Sequence, residues 1–113
     1  WLYAKYSDKE VSICEGVMGF YDGEDKGCST YSVSKLLEIP VILILDCKGS
    51  YITISAILQG LKGYRDDNTI KGVVLNHINS SSHYELIKNI IESDHQDIKV
   101  LGWIKKRSQF TSK

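Results

Sequence analysis

With 113 residues the chain is at most one domain, long enough for a hydrophobic core, and its 42% hydrophobic and 25% charged residues exclude disorder. Lys and Arg number 14, as do Asp and Glu, so no charge excess recruits nucleic acid or an acidic membrane. No apolar run approaches the roughly 20 residues that span a bilayer, and no signal-peptide pattern is present. Three cysteines without CxxC spacing point to the reducing cytosol, so a cytoplasmic location is expected.

Residue 1 is Trp, followed by LYAKY, an opening that reads as a piece of something longer. Val11 to Cys14 is the first of four short apolar, β-branched runs, followed by Val41 to Leu45, Ile70 to Leu75 and Ile98 to Leu101. Continuous rather than alternating apolarity suits strands buried on both faces of a parallel sheet. After the first run comes EGVMGFYDG, Glu15 to Gly23, with two carboxylates and three glycines around Met18 and Phe20. The cluster Gly27-Cys28-Ser29-Thr30 opens a helix carrying Val33, Leu36 and Leu37. Ile52, Ala56, Ile57 and Leu61 mark a second, whose end Gly60 and Gly63 weaken. Ser82 with Glu85 reads as a capping box for a third, with Leu86, Ile87, Ile90 and Ile91 as its apolar stripe. This alternation predicts an α/β fold, a three-layer, mostly parallel sheet with flanking helices on both faces. The basic ending KKRSQFTSK reads as a frayed tail or cut linker.

In an open parallel sheet, ligands bind beyond the carboxyl ends of the strands. Three segments fall there: Glu15 to Gly23, Asp46-Cys47-Lys48-Gly49 and Asn76-His77-Ile78-Asn79. A carboxylate at Glu15 suits Mg²⁺ beside a nucleotide's phosphates, and Asp22 could face a second substrate; a turn with solvated acids is the competing reading. GEDKGCST does not match GxxxxGK[ST], but leaves a helix amino terminus with the hydroxyls of Ser29 and Thr30, which serves either an anion or ordinary capping. Asn76 offers the donor and acceptor that a purine edge needs, or simply a turn. His77, His83 and His95 lack zinc-site spacing, and surface or cap roles are expected for them.

Taken together, EGVMGFYDG, GCSTYSVSKLLEIPVILILDCKG and IKGVVLNHINSSSHYELIKNIIE resemble the cobyrinic acid a,c-diamide synthases. That family carries a closely similar EGVMGLYDG loop and a GVILN strand end. The resemblance covers about Val11 to Gly102. It implies that residues 1–113 are the central part of an ATP-dependent amidoligase domain of the P-loop NTPase-like class, related to dethiobiotin synthetase. Activation of substrate carboxylates with ATP and Mg²⁺, then amidation with glutamine-derived ammonia from a glutaminase domain, is also implied. Glu15 matches the Mg²⁺-binding glutamate and Asp22 the aspartate that handles the corrinoid acetate. Ser29 and Thr30 match hydroxyls near the substrate carboxylate, Asn76 matches the adenine-reading asparagine, and Asp46 has a supporting role. The glycine-rich phosphate loop and the glutaminase half have no counterpart in this sequence, so the 113 residues alone are not expected to turn over. Related domains often pair, which is compatible with a homodimer. Two other readings remain open: a nickel-sirohydrochlorin a,c-diamide synthase or other corrinoid amidotransferase, and a non-catalytic, degenerate binding module.

Overall fold

The computed structural model describes residues 15–16 and 19–106. The expected strand Val11 to Cys14, Met18 and most of the basic tail lie outside the described residues. The chain divides into two units, Trp1–Ile39 and Pro40–Lys113.

In the first unit, a turn from Gly19 leads into a short 3-10 helix, Glu24–Lys26, flanked by Gly23 and Gly27 at φ 92° and 70°. Helix α1, Thr30–Leu37, follows. Ser29 caps it by accepting the Ser32 N–H at 3.0 Å, satisfying one of the donors that every helix start leaves free. Phe20, Tyr21 and Tyr31 pack as an aromatic cluster with centroids 4.7–6.1 Å apart, and the Tyr31 N–H donates to the Phe20 carbonyl at 3.0 Å. Tyr31 and Ser34 are the buried positions of α1. Leu36, expected on its apolar face, is 81% exposed.

The second unit is a parallel sheet in the order β1-β2-β3: β1 Val41–Asp46, β2 Ile70–Ile78 and β3 Lys99–Lys105. Helices α2, Ile52–Tyr64, and α3, Ser81–Asp94, make the crossovers and pack against each other. The parallel α/β sheet with flanking helices is therefore present. The register sets Leu45 beside Leu75 and Val73 beside Val100. Ile54, Leu58, Val73, Leu75, Ile78, Ile87 and Ile91 form the fully buried core, each contributing about 1.5–3 kcal/mol of transfer free energy. On the alternate strand positions, Ile42 and Ile44 are exposed, and Leu101 lies across Gly72 where a Cβ would meet it at 3.1 Å.

Two helix readings need correction. The stripe expected on α2 is the wrong face: Ile52 and Ile57 are exposed, whereas Ile54, Ser55 and Leu58 are buried. Nearly every position of ITISAIL is apolar or small, so periodicity alone does not choose the face. The cap of α3 is Ser80, not Ser82: its Oγ accepts the His83 N–H at 3.2 Å. The run Ser80-Ser81-Ser82 offers three candidate caps. Among the described residues no helix is long and apolar enough to cross a membrane.

Candidate functional site at the strand ends and the glycine loop

In the first unit the glycines of the EGVMG segment do what a close approach requires. A Cβ at Gly16 would run into the Thr30 hydroxyl, and one at Gly19 would overlap the Asp22 carboxylate. The Asp22 N–H returns to the Gly19 carbonyl at 3.0 Å. The loop thus gathers Gly16 with Thr30 and Gly19 with Asp22, and Glu15 and Asp22 are exposed. Ser29 differs from Thr30: it is fully buried, its oxygen accepts the Ser32 N–H, and it lies 2.9 Å from the Ser32 hydroxyl. Thr30 is the hydroxyl that abuts the glycine loop at Gly16.

Asn76 belongs to the second unit, where β1 and β2 end side by side with Asp46 in register with Asn76. Its main-chain carbonyl accepts the Cys47 N–H at 3.0 Å, and its Oδ1 accepts the His77 N–H at 2.8 Å. That second bond is a turn bond. It leaves the side-chain NH₂ and one Oδ1 lone pair for any other partner. His77 then takes the left-handed conformation, φ 59°, and its Nδ1 reaches Asp46 Oδ1 at 2.8 Å. The same carboxylate oxygen accepts the Lys48 N–H at 3.0 Å. The His77 hydrogen bond, then the one from Lys48, hold the Asp46 carboxyl below its ordinary value, so it is ionised at neutral pH. Beside it, burial pushes the Cys47 thiol up to about 11, which removes it as a nucleophile.

The histidines are the residues that sequence spacing did not place. His83 Nε2 donates to the Ser50 carbonyl at 2.8 Å while Nδ1 accepts the Asn79 N–H at 3.1 Å, tying the β1–α2 loop to the β2–α3 loop. A carbonyl can only accept, so the tautomer is fixed. His95, expected at a surface or cap, does follow the last turn of α3 but is buried. Its Nε2 lies 3.2 Å from the Ser55 carbonyl and 3.1 Å from Ser55 Oγ, and its Nδ1 lies 3.3 Å from Lys62 Nζ. Ser55, His95 and Asp94 superficially resemble a hydrolytic triad. The proton directions are wrong for one: Ser55 Oγ donates to Asp94 at 2.7 Å, and His95 Nε2 must carry hydrogen toward the Ser55 carbonyl. An open cleft of about 320 Å³ beside it is lined by Gln59, Lys62, Gly63, Asp94 and His95. Sequence separations of 31, 33 and 40 residues leave no local signal for any of these pairs.

No family profile matches the chain, and no solved structure does. Curated relatives do. It is 44% identical over 102 residues to the cobyrinate a,c-diamide synthase of Saccharolobus solfataricus, covering 89% of this chain and 23% of that protein. The Streptococcus sanguinis enzyme of the same name is 42% identical over 112 residues, covering 96% of this chain and 25% of the relative. That of Methanocaldococcus jannaschii is 36% identical over 115 residues, covering 97% and 26%. The chain spans about a quarter of the length of the curated relatives it matches. Along nearly its whole length, this chain is similar to one quarter of the cobyrinate a,c-diamide synthases.

Proposed function

We propose that residues 1–113 form the central part of the ATP-dependent amidoligase domain of a cobyrinate a,c-diamide synthase. The reaction is amidation of the a- and c-acetate carboxylates of cobyrinic acid, in the cytoplasm, with ammonia supplied by a glutaminase domain. A carboxylate resists attack by ammonia; transfer of a phosphoryl group to it creates a mixed anhydride with a good leaving group. The observation that carries this reading is the glycine loop. Gly16 and Gly19 have no room for a side chain because Thr30 and Asp22 occupy it, inside a segment related at 44% identity to a synthase of that name.

In this reading Glu15 holds Mg²⁺, which when bound screens phosphate charge during transfer. One exposed carboxylate suits that ion, which on nucleotides keeps water and phosphate oxygens as its other ligands. Asp22 and Thr30 meet the substrate carboxylate, and Ser29 supports them by fixing the start of α1. Asn76 reads the purine with the NH₂ and the Oδ1 lone pair that its turn bond leaves over. Exchange of Gly19 for Ala would make the exposed Asp22 carboxylate swing aside, because a Cβ there overlaps it.

The test uses the complete synthase carrying this segment, assayed for ADP release and amide formation with cobyrinic acid and, in parallel, nickel-sirohydrochlorin. Glu15→Gln is expected to cut turnover by about 100-fold or more at limiting Mg²⁺ while the fold survives, the scale of losing a metal's charge stabilisation. Normal turnover in that variant would refute the metal role. Failure of the unaltered enzyme to couple ATP hydrolysis to amidation of either tetrapyrrole would refute the function.

A further inference from the structure

We propose that His77 reads the nucleotide base together with Asn76, its Nε2 accepting a hydrogen of adenine's 6-amino group, so that this ring makes the site prefer adenine to guanine. The inference rests on the purine role given to Asn76 and deepens it. Every residue it uses lies in the second unit.

A break in the alternation of β2 brings the two side chains to one face. Successive side chains of a strand point to opposite faces, so the residue after Asn76 is expected to point into the core. Along β2, however, Leu75 and Ile78 are both buried, and Asn76 and His77 between them are both partly exposed. The pairing with β3 shifts register across the same two positions. The extra residue is His77, whose backbone is left-handed at φ 59°. A residue other than glycine keeps that conformation only where its surroundings hold it there. Asp46 is the hold: it stands in register with Asn76, hence on the same face, and its Oδ1 lies 2.8 Å from His77 Nδ1. The imidazole therefore shares the face of the Asn76 carboxamide, at the carboxyl end where a parallel sheet presents ligands.

The polar valences left over match adenine. Asp46 is ionised and can only accept, so Nδ1 carries hydrogen toward it and Nε2 presents a lone pair. The Lys48 N–H on the same carboxylate oxygen keeps that acceptor in place. His83 and His95 engage both ring nitrogens, whereas His77 Nε2 has no partner among the described residues. Asn76 retains its NH₂ and one Oδ1 lone pair, which N7 and one 6-amino hydrogen of adenine satisfy. The amino group has a second hydrogen, and the Nε2 lone pair is an acceptor for it. Guanine carries an oxygen at that position. Lone pair would then face lone pair, so guanine is rejected by repulsion as well as by a missing bond.

The complete synthase is assayed for phosphate release with cobyrinic acid and ATP, GTP or purine riboside triphosphate, which lacks the 6-amino group. The unaltered enzyme is expected to favour ATP over both in kcat/KM. His77→Ala should lower kcat/KM for ATP by about 5–10-fold, the scale of one hydrogen bond, and leave purine riboside triphosphate unchanged. An equal loss for those two nucleotides overturns the inference, because His77 would then support the fold rather than read the base. So does an ATP preference that survives His77→Ala; if Asn76→Ala erodes it in the same assay, the purine role of Asn76 stands and that of His77 alone falls. An unaltered enzyme indifferent to the three nucleotides sinks both. Independently of any turnover, ¹⁵N spectra of the unaltered synthase should show the His77 Nε2 resonance move when ATP is added without cobyrinic acid, and stay in place with purine riboside triphosphate. The same response to both nucleotides overturns the proposal even if a variant fails to fold.

Discussion

Where α2 crosses the end of α3, His95 is buried and every polar atom around it has a partner: the Ser55 hydroxyl and carbonyl on one nitrogen, Lys62 on the other, and Asp97 behind Lys62 at 2.6 Å. At the carboxyl edge, His77 is half exposed, sits on a left-handed backbone, and has one nitrogen engaged. Both rings are reached by a carboxylate or hydroxyl from a distant element, and both would be called hydrogen-bonded histidines. The completeness of their bonding separates them. A saturated buried network fixes two helices, because any vacancy in it leaves a desolvated polar group. A half-saturated exposed ring keeps a lone pair available at the cost of backbone strain.

The largest expected effect tests the saturated side. His95→Ala removes the ring that bridges Ser55 and Lys62 and opens space between α2 and α3, so denaturant unfolding should show a loss of about 2–3 kcal/mol. His77→Gly should stay within about 1 kcal/mol of the unaltered chain, because relief of the left-handed backbone offsets the lost exposed pair with Asp46. Equal losses from the two substitutions would break the comparison. His77 would then be a structural residue that happens to be exposed.

The same contrast explains what could be read from the sequence. Strand β1 was legible almost to the residue, because Val41 to Leu45 is an uninterrupted β-branched and apolar run. Strand β2 runs three residues past Leu75, through Asn76 and His77, which no apolarity marks; it is held there by pairing with its neighbours and by the Asp46–His77 contact. Strand β3 likewise continues past Leu101 through Trp103 to Lys105. The buried face of α2 escaped because Ser55 is inside, and a serine goes inside only where partners wait for it, here Asp94 and His95 some 39 and 40 residues away. The loop glycines were legible as a request for close approach, but not what approaches. Thr30 at Gly16 and Asp22 at Gly19 became visible only in three dimensions.

The smallest effects lie in the two exposed carboxylates that flank the two histidine systems. Asp97 is held below its ordinary value first by the Lys62 hydrogen bond, as Asp46 is by His77. A carboxyl whose value falls on folding stabilises the native state above its unfolded value of 3.8, and that contribution disappears as pH drops through the lowered folded value. Asp97→Asn should therefore be slightly less stable than the unaltered chain at neutral pH, and the two should converge in acid below pH 3.8. Unfolding midpoints measured across that range check the sign. Asp46→Asn should show the same convergence from a smaller gap, because the Asp46 pair ties a strained residue that gains freedom when released, whereas Lys62 also anchors the buried His95 ring. A larger neutral-pH gap for Asp46→Asn would mean that the carboxyl edge is braced as firmly as the helix crossing.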